Sequence, residues 1–387
     1  MTFASLGLSA DLLRAISELS YPAPTPIQQA AIPAILEGRD VWACAQTGSG
    51  KTAAFALPLL QQTLNRDRDT PLRVRILILV PTRELAAQVG ESIRLYARYM
   101  PRPIKTIIVF GGVSINPQMM ALRGGADTVV ATPGRLLDLV EHNALRLADV
   151  TTLVLDEADR LLDLGFSAEL ASIIEQLPRR RQNLLFSATF PPAVHLLAND
   201  LLHDPVRIDV PSTTVTQPAI LQRAIHVDTA RRTQLLRHLM TEQGWTRVLV
   251  FVATKYSTEH IAEKLRRSGI QAAAFHGKLS QGARTKALAD FKARRTRALI
   301  ATDVAARGID IAQLPVVVNY DLPRSTTDYT HRIGRTGRAG ESGVAVSFVP
   351  TSVEAHFRLI EKRQGMRLVR EVISGFEPVK AAAVDSD

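Results

Sequence analysis

The sequence predicts an α/β protein of two parallel-sheet domains in tandem, joined by a short flexible linker. At roughly 150 residues per domain, a chain of 387 residues is long enough for two or three domains. Short apolar runs alternate with helical patterns from about residue 38 to 209 and again from 248 to 348, which is typical of βαβ units. Between these blocks, segment 211–218 is bounded by prolines and uncharged, as a linker would be. The predicted parts are a domain over 1–210, the linker 211–218, a domain over 219–378 and a short tail over 379–387.

The apolar runs are the predicted strands. In the first block they are 41–45, 76–80, 106–110, 128–131, 153–155 and 183–186. In the second block they are 248–252, 272–275, 298–301, 316–319 and 344–348. None approaches the roughly 18 apolar residues that span a bilayer, so no membrane segment is predicted.

Composition restricts the compartment and the class of protein. Apolar residues make up 46 % and charged residues 22 % of the chain, which is typical of a folded protein. The first residues lack the basic and apolar regions of a secretory signal. The single cysteine, Cys44, excludes a disulfide within these residues and a cysteine-cluster metal site. A cytoplasmic protein is therefore predicted.

The charge balance favours a polyanionic partner without proving one. Lysine and arginine together number 47 against 37 acidic residues, a formal net charge of +10. Most of the basic residues are arginine, which suits bidentate phosphate contacts. A genome biased towards arginine codons would give the same count, so the charge alone leaves the partner open.

A glycine-rich segment follows the first predicted strand and precedes a predicted helix over 53–64. Its residues are Ala45, Gln46, Thr47, Gly48, Ser49, Gly50, Lys51 and Thr52. Gly48 and Gly50 would let backbone N–H groups turn towards phosphates at a helix N-terminus. Lys51 would then reach the β- and γ-phosphates, and the Thr52 hydroxyl would ligate Mg²⁺. The segment predicts a nucleoside triphosphate site, although Ala45 replaces the usual glycine; the alternative is a Gly/Ser turn that only resembles this pattern.

Two carboxylates, Asp156 and Glu157, follow the predicted strand 153–155. They would lie at the carboxyl edge of the sheet, where open α/β sheets bind ligands. Asp156 suits the holding of Mg²⁺, and Glu157 suits the orientation and deprotonation of an attacking water. Such a pair can instead cap a helix N-terminus, but the upstream phosphate loop favours catalysis.

Arginines recur at a spacing of three residues in the second block. The segment reads His331, Arg332, Ile333, Gly334, Arg335, Thr336, Gly337 and Arg338. Arg335 and Arg338 could both reach one anion, and arginines supplied across a cleft stabilise charge developing on a γ-phosphate. A solvated basic loop is the alternative.

Taken together, these segments resemble the DEAD-box RNA helicases of superfamily 2, from Phe3 to about Phe376. Residues 156–159 spell the family name, and the other motifs stand in the family's order at 20–28, 81–86, 111–112, 132–135, 187–189, 250–255, 276–277 and 301–310. The stretch 276–291 is most like the bacterial RhlE-type branch. Ser20 and Ala23 depart from the usual adenine-reading motif. The resemblance implies two RecA-like domains.

The resemblance also implies an ATP site that works with Mg²⁺. Gln28 would read the N6 and N7 edge of adenine, and Phe3 and Tyr21 would stack on the ring. Asp310 is expected near the ribose, and Arg335 and Arg338 would be γ-phosphate fingers when the domains close. Hydrolysis would be coupled to strand separation through Asp159, Ser187, Thr189 and His331.

RNA is the partner that the resemblance implies, with contacts mainly to sugar and phosphate and therefore weak sequence specificity. The expected contact residues are Arg83, Gly112, Thr132 and Arg135 in the first domain and Thr254, Gly277 and Thr302 in the second.

Three classes of function are compatible with this resemblance. The first is an ATP-dependent RNA helicase, an RNA-stimulated ATPase that closes on RNA, bends one strand and releases it after hydrolysis. The second is an ATP-gated RNA clamp, which intact Glu157 and Ser187 disfavour. The third, a translocating DNA helicase, is disfavoured by Gln28 and Asp159. A monomer is expected, with ribosome-assembly or RNA-decay proteins as further partners.

Overall fold

The structure is a computed structural model that describes residues 2–45, 48–64, 71–210, 220–306, 314–337 and 343–378. The chain divides into two compact units, Met1–Thr213 and Thr214–Asp387. Within the described residues, each unit holds one seven-stranded sheet in which all strand pairs are parallel. The predicted α/β fold class is confirmed. The predicted linker and tail lie outside the described residues.

Unit 1, the first of these, alternates strands with helices. Its strands are β1 Val41–Cys44, β2 Ile76–Leu79, β3 Thr106–Val109, β4 Thr128–Ala131, β5 Thr152–Leu155, β6 Gln182–Ser187 and β7 Val206–Asp209. Its helices are α1 Ala10–Glu18, α2 Pro26–Leu36, α3 Lys51–Leu64, α4 Arg83–Tyr96, α5 Asn116–Leu122, α6 Pro133–Glu141, α7 Ala158–Asp163, α8 Ser167–Glu175 and α9 Pro192–Leu201.

Helices cover both faces of the unit 1 sheet, so its inner strands are mostly apolar. In β2, Ile76 and Ile78 pack with α2, α3 and α4, whereas Leu77 and Leu79 pack with α6, α8 and α9. Successive side chains of a strand point to opposite faces, which explains this division. A strand buried on both sides loses the apolar–polar alternation and reads as a continuous apolar run.

The strand order of unit 1 is β3-β4-β2-β5-β6-β1-β7. Because all the strands are parallel, the loops that follow them emerge at one edge of the sheet. The loops after β5, β6 and β1 are therefore neighbours, and so are those after β3, β4 and β2. These two groups divide the carboxyl edge into two adjacent parts.

Unit 2, the second compact unit, repeats this plan. Its strands are β8 Ile220–Ile225, β9 Val248–Val252, β10 Ala272–Phe275, β11 Ala298–Thr302, β12 Val316–Asn319, β13 Gly343–Phe348 and β14 Arg370–Glu371. Its helices are α10 Arg232–Glu242, α11 Lys255–Arg267, α12 Gln281–Lys292, α13 Asp303–Ala306, α14 Thr326–Ile333 and α15 Glu354–Gln364. The strand order is β10-β11-β9-β12-β13-β8-β14.

Each predicted strand is present, and the described residues form three further strands that were not predicted. These are β7, β8 and β14, which lie at or next to one edge of their sheets. An edge strand is covered less completely than a central one, so polar side chains interrupt its apolar pattern. In β7, for example, Arg207 and Asp209 are exposed and only Ile208 is buried.

Candidate functional site

The glycine-rich loop, the two carboxylates and Ser187 meet at the edge formed by β5, β6 and β1. Cys44 at the end of β1 pairs with Ser187 at the end of β6, and Ala45 N–H donates to the Ser187 carbonyl at 3.0 Å. Asp156 directly follows β5, which pairs with the other side of β6. Three segments far apart in sequence are thus held side by side by backbone hydrogen bonds.

The glycine-rich loop leads directly into α3, which begins at Lys51 rather than at the predicted residue 53. Gly48 and Gly50 have φ of 85° and 92°, a conformation that glycine adopts without strain. Lys51 is buried, and its Nζ donates to the carbonyl of Ala45 at 2.8 Å. The ammonium therefore lies against the loop itself. Gln46 and Thr47 lie outside the described residues.

Gln28 links α2 to the same loop. Its side-chain Oε1 accepts from the backbone N–H of Thr25 at 2.9 Å, and its Nε2 donates to the carbonyl of Gly50 at 3.1 Å. A Cβ on Gly50 would lie 2.4 Å from Nε2, so only glycine permits this approach. Each polar atom of the amide retains capacity for one more hydrogen bond, which an adenine edge could use.

Aromatic rings lie near the start of unit 1. The rings of Phe3 and Tyr21 are 6.4 Å apart, and Tyr21 is 36 % exposed. The hydroxyls of Tyr21 and Tyr96 lie 3.1 Å apart, and burial raises the pKa of Tyr96. Tyr96 thus anchors Tyr21 in place. Sequence reasoning did not find this role, because Tyr96 ends α4, 75 residues further along the chain.

Asp156 is buried at the carboxyl end of β5. Burial raises its pKa to about 6; Lys51 opposes the increase, and Glu157 adds to it. Its Oδ1 accepts the backbone N–H of Glu157 at 2.9 Å. A buried carboxylate of this kind is stabilised by a nearby cation, and its oxygens and the Thr52 hydroxyl are ligands of the type that Mg²⁺ prefers.

Glu157 is also buried, and its partner is Arg160 one turn further on. Its backbone is left-handed, with φ 52° and ψ 51°, in the residue before α7. Arg160 Nη1 lies 3.3 Å from Glu157 Oε2, and both side chains are about 5 % exposed or less. A charge at this depth needs a counter-charge. Arg160 is a site residue that the sequence reasoning missed.

The structure brings together three of the four predicted coupling residues. Asp159 Oδ2 accepts from both the backbone N–H and the hydroxyl of Thr189, at 3.0 and 2.8 Å. The Ser187 hydroxyl accepts from Asp159 N–H at 3.2 Å and donates to the Thr189 carbonyl at 2.7 Å. The segment after β6 is therefore tied to the start of α7. The fourth residue, His331, lies in α14 of unit 2.

The predicted RNA residues of unit 1 lie after β2, β3 and β4. Arg83 opens α4, and its guanidinium lies over Gly112, where a Cβ would be 2.7 Å from Nη2. Arg135 is buried; its Nη2 donates to the carbonyl of Val113 at 2.8 Å, and its Nε donates to Asp138. Thr132, also buried, precedes α6. Arg135 thus supports the loop on which Gly112 stands.

The predicted RNA residues of unit 2 also lie at the carboxyl ends of neighbouring strands. Thr302 ends β11, Thr254 follows β9 and Gly277 follows β10. The Thr254 hydroxyl caps α11 by accepting the N–H of Ser257 at 3.0 Å. A Cβ on Gly277 would meet no atom within 4 Å, so its surface is open.

The arginines of α14 and the turn after it differ in their surroundings. Arg332 is buried and donates two hydrogen bonds of 2.6 Å to the Asp303 carboxylate and one of 3.1 Å to Asn319. It therefore holds α14 against the sheet. Arg335 is also buried, within unit 2. Arg338 and Asp310 lie outside the described residues.

Two family models match the chain. The DEAD/DEAH box helicase model matches residues 25–197, and the helicase conserved C-terminal domain model matches residues 231–340. Together they cover more than half of the sequence. The chain belongs to the DEAD-box helicase family. The predicted resemblance is confirmed at the level of the family, and the RhlE-type branch stays a prediction.

Other DEAD-box proteins match this chain along nearly all of its length. The ATP-dependent RNA helicase DeaD of Mycobacterium tuberculosis (strain H37Rv) is 42 % identical over 384 residues, which are 99 % of this chain and 67 % of that protein. DeaD of Escherichia coli K12 is 43 % identical over 361 residues, 93 % of this chain and 57 % of that protein. DEAD-box ATP-dependent RNA helicase 28 of rice is 42 % identical over 377 residues. The chain spans about half of that plant protein, at 47 %.

Solved DEAD-box structures share the fold. Saccharomyces cerevisiae Dbp5 bound to RNA and ADP BeF3 matches with a TM-score of 0.82 at 32 % identity, covering 96 % of this chain and 95 % of that one. Mss116p bound to ssRNA and AMP-PNP matches with a TM-score of 0.85 at 29 % identity, covering 98 % and 80 %. The tandem RecA-like architecture is thereby confirmed. Within the described part of this DEAD-box chain, no helix is long and apolar enough to cross a membrane.

Proposed function

We propose that the chain is an ATP-dependent RNA helicase. It would bind RNA without sequence specificity and either unwind short duplexes locally or remodel RNA–protein complexes. The main support is that β5, β6 and β1 bring the phosphate loop, Asp156, Glu157 and the Asp159–Ser187–Thr189 network to one edge of the sheet. A change at the γ-phosphate would reach this network through neighbouring residues. The names of the relatives and the RNA and nucleotide in the solved structures agree with this function.

Each residue of the nucleotide site has a proposed task in the reaction. The loop 45–52 would bind the phosphates, with Lys51 neutralising part of their charge. Thr52 and Asp156 would hold Mg²⁺, which supplies further charge neutralisation on the phosphate oxygens. Glu157 would orient the attacking water and accept its proton. Arg335 and Arg338 would stabilise the transition state when the two units close.

The RNA contacts would lie on the carboxyl edges of both sheets. Arg83 and Gly112 in unit 1, and Thr254, Gly277 and Thr302 in unit 2, offer backbone N–H groups, hydroxyls and one guanidinium. Such groups suit sugar and phosphate contacts, which carry little sequence information. Arg135 would act indirectly, because it is buried against the carbonyl of Val113. Protein partners, a monomeric state and a cytoplasmic location stay predictions.

Replacement of Gln28 by alanine is expected to relax selectivity for adenine. Phosphate contacts alone cannot distinguish ATP from GTP, and a hydrogen-bonded base edge contributes about 1–3 kcal/mol. Competition binding of ATP and GTP to wild-type and variant protein measures the change. Thr25→Ala, which leaves the Gln28 amide and the backbone of residue 25 in place, is the matched control. Equal affinity of the wild-type protein for the two nucleotides would contradict the role of Gln28.

Unwinding is expected to decline steeply with duplex length. One closure can open only a few base pairs, since each step costs on the order of 1–2 kcal/mol in the DNA case, and the remaining pairs must separate thermally. The same mechanism predicts little dependence on whether the overhang is 5′ or 3′, and a preference for RNA as the gripped strand. A series of RNA duplexes of increasing length with either overhang, and DNA counterparts, tests this at fixed salt.

Two outcomes would overturn parts of the proposal. Efficient separation of long duplexes with one strict polarity would indicate processive translocation rather than local bending. RNA-stimulated ATP turnover without any strand separation, even of the shortest duplexes, would instead identify an ATP-gated clamp.

A further inference from the structure

An exposed aromatic ring stands at the carboxyl edge of the unit 2 sheet. Tyr256 is 75 % exposed, although it is a large aromatic residue in the first turn of α11. It lies two residues after Thr254, which follows β9. A single exposed aromatic residue needs no explanation by itself, but the surroundings of Tyr256 are unusual in two respects.

The first respect is that the ring has an aromatic neighbour in a nearly parallel plane. The rings of Tyr256 and His260 are stacked, with centroids 5.5 Å apart and planes inclined by 14°. The two residues are one helical turn apart, so their side chains lie on the same face of α11. The imidazole lies beside the phenol ring in a nearly parallel plane, and the high exposure leaves most of the ring accessible. A ring oriented in advance loses less conformational entropy when a planar group stacks on it.

The second respect is a pair of lysines, one adjacent to Tyr256 in the chain and the other in the loop after β10. Lys255 precedes Tyr256, and Lys278 follows Gly277 in the loop after β10; the side chains of both lysines are exposed. The pKa of Lys255 is lowered, first by desolvation and then by the positive charge of Lys278, so the two ammonium groups lie near each other. Neither lysine forms an ion pair with the described residues, and nearby Glu259 instead pairs with His276 at 2.9 Å. Two like charges near each other favour the binding of an anion close to both.

One nucleotide of a single strand carries a base that can stack on an aromatic ring and a phosphate that can bind where an anion is favoured. We propose that Tyr256 stacks on the base of an unpaired RNA nucleotide while Lys255 and Lys278 bind its flanking phosphate. This subsite rests on the proposed RNA helicase function and adds a base contact to the expected backbone contacts at Thr254 and Gly277. Stacking accepts any base, because every base has a π-face, so the subsite requires no sequence specificity.

An abasic scan of a single-stranded RNA tests the subsite. Ten-nucleotide RNAs of mixed sequence, each with an abasic nucleotide at a different position, are bound to the 387-residue protein with AMP-PNP at fixed salt. Fluorescence anisotropy gives Kd for each RNA. For the wild-type protein, one position should weaken binding by about 5- to 150-fold, the usual range for base–aromatic stacking. Tyr256→Ala should weaken binding of the intact RNA by a similar factor. For this variant, Kd should be the same whether or not that position is abasic.

Three variants separate stacking from other effects. Tyr256→Phe keeps the ring and should retain the wild-type abasic profile. Lys278→Ala should weaken all the RNAs uniformly and reduce the slope of log Kd against log salt by about one unit. His260→Ala should weaken the intact RNA less than Tyr256→Ala does, because the ring remains but is no longer oriented. The thermal unfolding midpoint of Tyr256→Ala should match that of the wild type, since the side chain is mostly exposed.

The outcomes distinguish the subsite from the proposed function. If the wild type binds RNA but Tyr256→Ala has the same Kd and the same abasic profile, the subsite is wrong and the helicase function stands. If Tyr256→Ala changes the abasic profile only when a second protein is added to the binding mixture, the surface belongs to a protein partner, and the subsite is also wrong. If the wild type binds no RNA at all, both proposals fail.

Discussion

Glu157→Gln is expected to reduce ATP hydrolysis at least about 100-fold while ATP and RNA still bind. The change removes the general base, whose contribution is typically at least two orders of magnitude. It leaves Lys51, Thr52 and Asp156 in place to bind the nucleotide. Single-turnover hydrolysis and equilibrium binding measure the two properties separately, and turnover at the wild-type rate would contradict the role of Glu157.

The same substitution should also destabilise unit 1. A neutral amide at this position would leave the Arg160 guanidinium buried without its counter-charge. Breaking a buried ion pair by removing one partner costs about 3–5 kcal/mol. The double variant Glu157→Gln/Arg160→Met is the matched control, because it removes both charges. We expect it to recover much of the free energy of unfolding without recovering hydrolysis, so that the chemical and structural effects can be separated by calorimetry and kinetics.

Arg335→Ala is expected to lower RNA-stimulated ATP turnover by about 10³-fold or more, with a smaller effect on ATP affinity in the absence of RNA. Arginine fingers elsewhere contribute factors of about 10³–10⁵, because they stabilise charge that develops only in the transition state. Turnover with saturating RNA and nucleotide affinity without RNA are the two measurements. A loss of affinity with intact turnover would make Arg335 a ground-state ligand instead.

Arg332→Met provides the contrast within the same segment. Arg332 is bonded to Asp303 and Asn319 within unit 2, so its loss should appear mainly as a lower unfolding midpoint. Arg335→Lys keeps a buried positive charge at position 335 but loses the planar fork of donors. It is therefore the control for the effect of the charge alone. If Arg332→Met and Arg335→Ala changed stability and turnover in the same proportion, the division of roles between the two arginines would be wrong.

Much of the fold was predictable because central parallel strands are apolar on both faces. The runs that became β2 and β9 are examples, and Asp156, directly after the similar run of β5, could be assigned to the sheet edge. The partnership of Asp159 with Ser187 and Thr189 came from the family resemblance, and the structure then supplied its geometry.

The remaining contacts could not be predicted from local patterns. Tyr96 contacts Tyr21 although it lies 75 residues further along the chain, and Arg332 reaches Asp303 through the packing of α14. The pairing of Glu157 with Arg160 is local, but nothing in the sequence indicates that both side chains are buried. The edge strand β14 is only two residues long, too short for any periodicity.

The strand order of unit 1 has a mechanical consequence. The part of the edge that carries Arg83 and Gly112 and the part that carries the phosphate loop are joined through β2 and β5, whose register runs from Ile76 opposite Thr152 to Leu79 opposite Leu155. Neighbouring strands keep a spacing of about 4.8 Å, so the sheet holds the two parts at a nearly fixed distance from each other. Under the proposed function, unit 1 would therefore have little freedom to change its own contacts with RNA when ATP binds. If nucleotide alters that grip, the alteration has to come from movement of whole bodies rather than from deformation within the first sheet.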